Sequence, residues 1–133
     1  MTMQPTDIHL HKKTAVLELV YAGGDTNTLP AEFLRVYSPS AEVRGHGQGQ
    51  EVLQTGKRQV KIEGLEPVGH YGIKIHFDDG HNTGIYTWDY LLELGRDYDS
   101  LWQRYLQRLD EAGARRDPVA SGVQVVNIMP LKH

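Results

Sequence analysis

The chain of 133 residues has no cysteine, and that one absence removes disulfides, thiolate metal ligation and a cysteine nucleophile together. It is sparing with the largest apolar rings, with two Phe and two Trp, although seven Tyr are present. Charge of either sign is also thin on balance. A formal net charge of −3 offers no field for holding nucleic acid or an anionic membrane. No apolar run approaches the roughly 20 residues that cross a bilayer. The opening Met1-Thr2-Met3-Gln4-Pro5-Thr6-Asp7 has neither the basic nor the apolar segment of a secretory leader, so a cytoplasmic location is expected. Leu, Ile, Val and Phe nevertheless make up about a quarter of the chain, enough for one folded domain.

Local patterns place the elements. Ile8–His11 and Thr14–Tyr21 read as strands, with Ala22-Gly23-Gly24-Asp25 as a turn. Thr28–Leu34 reads as a short helix with Pro30 in its first turn. Ser38–Gly56 loses periodicity and predicts a long loop, followed by a strand over Gln59–Leu65 and a turn at Pro67-Val68-Gly69. A hairpin follows, Gly72–Phe77 and Asn82–Trp88 around Asp78-Asp79-Gly80-His81. Helix is expected over Trp88–Leu94 with Gly95 as its stop. A second helix begins near Ser100, where Ser100 and Gln103 resemble a capping box, carries the stripe Leu101, Trp102, Tyr105, Leu106, Leu109, and ends at Gly113. Strands first and helices last predict an α+β fold in two layers, an antiparallel sheet with the C-terminal helices on one face. The domain is expected over residues 1–113, with 114–133 as a flexible or partner-docking extension in which Val123–Met129 is mildly apolar.

The hairpin pattern pairs Ile73 with Tyr86, Ile75 with Gly84 and Phe77 with Asn82 on one side. The other side receives Lys74 with Ile85, His76 with Thr83 and Asp78 with His81. His76, Asp78 and His81 would then share one end of one face, either as a solvated hairpin end or as a metal or acid–base cluster. His9 and His11 share a strand face in the same manner. The run Gly45–Gly49 lacks the spacing and flanking strand and helix of a dinucleotide fingerprint, and Lys57, Arg58 and Lys61 form only a small basic patch. No serine sits in a nucleophile-elbow pattern.

Two stretches carry a resemblance. Leu29-Pro30-Ala31-Glu32-Phe33-Leu34-Arg35 and Ser38-Pro39-Ser40-Ala41-Glu42 form one, Glu66–Tyr71 and Phe77–Leu91 the other. From about Pro5 to Gly113 the chain resembles the gamma-butyrobetaine hydroxylase-like N-terminal domain, and stand-alone bacterial members of unassigned role resemble it most. In the carnitine-pathway hydroxylases this domain precedes an iron- and 2-oxoglutarate-dependent catalytic domain, which this chain lacks. A related module ends some P-loop ATPases of iron–sulfur assembly.

The family's structural zinc is held by three cysteines and one histidine, and the resemblance lays those positions on Ser38, Ser40, Val43 and His81. Two neutral hydroxyls and one imidazole are poor substitutes for thiolates, so the zinc is expected to be absent. The resulting expectation is a non-catalytic binding or adaptor module with a protein partner, tied to cofactor or iron–sulfur metabolism. Ser38, Ser40, Arg44, His46, His76, Asp78 and His81 are its candidate contact residues. The alternative is a metal-binding protein that uses His76, Asp78 and His81, with His46 and a metal such as iron. A homodimer stays open.

Overall fold

Alternation of apolar and polar side chains builds the first sheet. In the computed structural model, which describes residues 3–45 and 51–118, β1 (Asp7–His11), β2 (Val16–Val20) and β3 (Thr26–Pro30) lie antiparallel in that order. Leu10 pairs with Leu17 and Leu17 with Leu29, so one face is apolar, and Leu17 and Leu19 are fully buried. On the opposite face His9 stands across from Glu18, and both His9 and His11 bond its carboxylate.

A second three-stranded sheet contains β4 (Ile62–Val68), β5 (Gly72–Phe77) and β6 (Ile85–Thr87). The chain thus divides the expected antiparallel sheet into two within the expected α+β class. The helices are α1 (Ala31–Val36), α2 (Ala41–Arg44), α3 (Trp88–Arg96) and α4 (Tyr98–Ala112). One core joins both sheets to α1 and α3 through residues such as Leu29, Phe33, Leu34, Ile75, Phe77, Tyr86 and Leu91. A smaller cluster of Val36, Tyr105 and Leu109 seats α4 on the end of α1.

Tertiary pairing overrides local signals in several places. Thr28–Pro30 extend β3 because Leu29 pairs with Leu17, and the helix starts only at Ala31. Ser38–Gly56 contains α2, whose first turn is capped by Ser40. Pro67 and Val68 remain in β4, and the turn falls at Gly69. Gly95 lies inside α3, where a Cβ would sit 2.5 Å from the Asn27 amide, so it serves close packing on β3. The second helix is under way before Ser100, whose hydroxyl donates to the Asp97 carbonyl. Gly113 does end α4, in the left-handed conformation.

Residues 114–118 also pack on the body. Gly56 and Arg58 donate their N–H groups to the carbonyls of Arg115 and Arg116, at 2.9 Å each. Arg116 grips the buried Glu32 carboxylate with two bonds of 2.8 and 2.7 Å and lies over the Trp102 ring. Val123–Met129 lies outside the described residues.

The register of the β5–β6 hairpin decides which way its side chains face. Ile73 pairs with Tyr86 and Lys74 with Ile85, as the pattern predicts. Nearer the turn the pairing slips. Phe77 N–H bonds the His81 carbonyl at 3.0 Å, Gly80 N–H bonds the Phe77 carbonyl at 3.1 Å, and Gly80 has φ +90°. This is a three-residue loop with a glycine bulge, and it sets His81 opposite Phe77 instead of Asp78. Phe77 faces the core, so His81 turns inward with it, and its ring lies 6.0 Å from the phenyl ring.

At the far end of the same hairpin, a Cβ on Gly72 would lie 2.4 Å from the Tyr86 carbonyl oxygen, which is backbone and cannot step aside. Gly64 has open space around it. Gly72→Ala is expected to cost about 2–3 kcal/mol in chemical denaturation, with Gly64→Ala within about 0.5 kcal/mol of the parent.

Candidate functional site

Where α1 ends, the segment Ser38-Pro39-Ser40 crosses the strand that leads into β6. It can approach because position 84 is glycine: a Cβ there would stand 2.5 Å from Ser38 Oγ and 3.1 Å from Pro39 Cδ. Ser38 is 1% exposed. Its Oγ lies 2.8 Å from His81 Nε2 and accepts the Ser40 N–H at 3.2 Å. His81 Nδ1 lies 3.1 Å from a Glu42 carboxylate oxygen. An ionised carboxylate only accepts, so Nδ1 carries the proton, Nε2 accepts, and the Ser38 hydroxyl donates. Ser40 Oγ meets Thr83 Oγ1 at 2.6 Å and accepts the Glu42 N–H.

A second set of bonds holds the same turn from below. One Asp79 oxygen accepts the His81 N–H at 3.1 Å. The other accepts from Arg35 Nε at 2.9 Å and from the Lys57 ammonium. Arg35, 7% exposed, also donates to Gln54 at 3.0 Å. Burial alone raises the Asp79 carboxyl. The Lys57 ammonium, the His81 N–H and the Arg35 guanidinium outweigh it and bring the pKa down to about 2. For His81, burial first and the Arg35 charge second lower the imidazole below its ordinary value, against the opposing pull of Glu42 and Asp79. Neutral imidazole is therefore the resting form at neutral pH.

Of the residues singled out from sequence, the structure brings together Ser38, Ser40 and His81. It does not add His76 or Asp78 to them. His76 stays on the outer face of β5 and pairs with Glu66 at 3.0 Å. Asp78 closes the neighbouring chain segment, accepting the Lys61 N–H at 3.0 Å while its own N–H bonds the Lys61 carbonyl. The expected His76–Asp78–His81 face is thereby undone, because the Gly80 bulge turns the last of the three over. Arg44 lies 5.0 Å from the Tyr90 ring centroid, and His46 falls outside the described residues. Among the described residues no group of three or more His, Asp and Glu side chains is arranged to hold a metal ion.

Sequence reasoning missed Glu42, Asp79, Arg35 and Lys57 as members of this corner. Asp-Asp-Gly-His with glycine third is the one local signal that could have revealed the bulge and, through it, His81 and Asp79. Nothing local marks Arg35, which sits in a wholly buried helix and gains its meaning from a partner 44 positions away.

The hydroxyl–imidazole–carboxylate order matches that of a nucleophilic triad. Here, however, the hydroxyl is enclosed, and it already accepts a backbone N–H from Ser40. As built, the arrangement is a hydrogen-bonded clasp that ties the segment before α2 to the hairpin end.

This two-sheet α+β module with a polar clasp defines the class of protein, and the comparisons define the family. Residues 8–92 match the family described as gamma-butyrobetaine hydroxylase-like, N-terminal, and the chain belongs to that family. Among solved structures, an NMR solution structure shares 51% identity over 96% of this chain and 100% of its own, with a TM-score of 0.78. A second NMR structure shares 44% identity over 95% of both chains, with a TM-score of 0.75. A crystal structure of a DUF971-family protein of unknown function from Acidithiobacillus ferrooxidans shares 41% identity over 69% of this chain and 92% of its own, with a TM-score of 0.58. No curated protein matches the chain.

The two shifted groups give stability a two-step acid dependence. A folded-state pKa below the unfolded value means the unfolded chain takes the proton first, so stability is present above the unfolded value and lost as pH falls. For His81 the loss begins as pH drops through about 6.5, and for Asp79 it runs from about 3.8 to about 2. His81→Gln should flatten the first step of a denaturation-versus-pH profile. Asp79→Asn should remove the second and cost about 2 kcal/mol at pH 7, since it leaves Arg35 buried and short of a carboxylate.

Proposed function

We propose that this chain is a non-catalytic binding module that docks a protein partner and works without the zinc found in relatives that keep the cysteines. The observation that carries this reading is the clasp itself. Ser38 and both nitrogens of His81 are committed to one another and to Glu42 inside the fold. The hydroxyl has no open face for substrate, and the imidazole has no lone pair to spare for a metal. Ser40 is spent on Thr83 and on capping α2. Val43, at the last of the family's sulfur positions, is buried and contributes no donor atom.

A clasp of this kind does mechanical work. It fixes α2 against the Asp78–His81 turn and presents the exposed edge of both, including Glu42 with its side chain 64% exposed, as one rigid polar surface. A surface held from within loses little freedom when a partner binds, which is how a small module gains affinity. That the family's domain elsewhere stands beside working domains supports a role as an adaptor, within cofactor or iron–sulfur metabolism.

Two measurements test the reading. A photo-crosslinker at Ala41 or Asn82, both exposed beside the clasp, in cells expressing the protein at native level, should capture one partner in stoichiometric yield. The same probe at Glu63, on the exposed side of β4, should capture none. Equal capture at all three positions, or none at any, counts against the docking surface. Metal analysis of untagged protein should find less than about a tenth of a zinc ion per chain, and a full equivalent lost on His81→Ala would overturn the zinc-free corner.

A further inference from the structure

Beside the clasp, a cleft of about 300 Å³ opens between α2 and α4. Its uncharged lining is Val36, Val43, Ser38 and the side chains of Tyr37 and Tyr90. Both phenol hydroxyls are turned away to backbone carbonyls: Tyr37 donates to Leu101 at 2.6 Å and Tyr90 to Tyr37 at 2.5 Å. Tyr37 therefore offers the cleft its ring, while the Tyr90 phenol also meets the Arg44 side chain. Among the described residues its charged lining is Arg44, Arg104, Arg108 and Glu51.

That charge distribution is unusual for this chain. The whole protein has a formal charge of −3, yet among the described residues three guanidiniums and one carboxylate line this concavity. Of the five arginines elsewhere, four pair with acids: Arg35 with Asp79, Arg58 with Asp117, Arg96 with Asp97, Arg116 with Glu32. No such ion pair engages Arg44, Arg104 or Arg108 among the described residues. Arg44 lies over the Tyr90 ring, and Arg108 makes one long bond of 3.4 Å to the Glu51 carbonyl. Arg104 and Arg108 are one helical turn apart on α4, so their forks project from the same face, while Arg44 approaches from α2. Each fork can grip two oxygens of a carboxylate or phosphate, which a lysine in its place could not.

We propose that this cleft binds a small organic dianion, a phosphate monoester or a dicarboxylate, with its apolar body on Tyr37 and Tyr90 and its charged end among Arg44, Arg104 and Arg108. The cleft is at the lower end of the volume range of small-molecule sites. Its net charge, three positive against one negative, complements two negative charges on the ligand. The site shares α2 with the proposed protein contact but draws on Arg44 and the two α4 arginines, where that contact uses Glu42 and the hairpin turn, so variants at Arg104 and Arg108 separate the two.

The test titrates the full chain with phenyl phosphate, with phenylsuccinate and with inorganic phosphate, following the arginine Nε–Hε resonances by NMR. Saturable shifts of the Arg44, Arg104 and Arg108 signals with one or both organic dianions, below about 10 mM, are expected. Binding should weaken at least about tenfold in the Arg104→Gln/Arg108→Gln variant and, independently, in Arg44→Gln. A response to phenyl phosphate alone assigns the site to phosphate monoesters, and a response to phenylsuccinate alone assigns it to dicarboxylates. Either supports the proposal. Failure of both to saturate, equal affinity for inorganic phosphate, or undiminished binding in the variants would overturn it.

Discussion

The bond between the Ser38 hydroxyl and the His81 imidazole is the contact on which this corner of the molecule depends. It requires three separate conditions. Gly84 must lack a side chain so that Ser38-Pro39-Ser40 can lie against it. Gly80 must take a left-handed conformation so that the hairpin gains its extra residue and His81 points inward. Asp79 must stay ionised to hold Arg35, Lys57 and the His81 backbone in one place. Each condition is local, but the contact they produce joins the two halves of the chain across 43 positions.

The electrostatics of the corner follow from burial more than from any single pair. A histidine beside two carboxylates would ordinarily gain affinity for its proton. Here enclosure and the neighbouring Arg35 charge prevail, and the imidazole stays neutral. A neutral ring can donate through one nitrogen and accept through the other at once, and Glu42 and Ser38 require that combination. Protonation would leave the Ser38 hydroxyl facing a donor. The clasp is in this sense a consequence of the lowered basicity as well as a cause of rigidity.

The chain also separates structural charge from available charge. Arg35 and Arg116 are drawn inward and matched to Asp79 and Glu32, where they tie α1 to the hairpin and to the segment after α4. Arg44, Arg104 and Arg108 remain at the rim of a concavity. Where cations are enclosed and paired they hold the fold together, and where they are gathered around an opening they are at the disposal of a ligand.

Composition and alternation alone determined the class of fold, the strand pairs around Ile73, the two final helices and the left-handed stop at Gly113, because each depends on neighbours a few residues apart. The resemblance to the family, rather than local pattern, named Ser38, Ser40 and His81 as members of one corner. Only the tertiary structure decided which way His81 faces, since the glycine bulge turns the residues at the hairpin end while the register farther along, at Tyr86 and Ile85, is kept. Nor could local pattern supply Asp79 with Arg35, seat Thr28–Pro30 in a strand, or gather three arginines about one cleft. Those outcomes depend on contacts between distant segments, and a distant contact leaves no periodic trace along the chain.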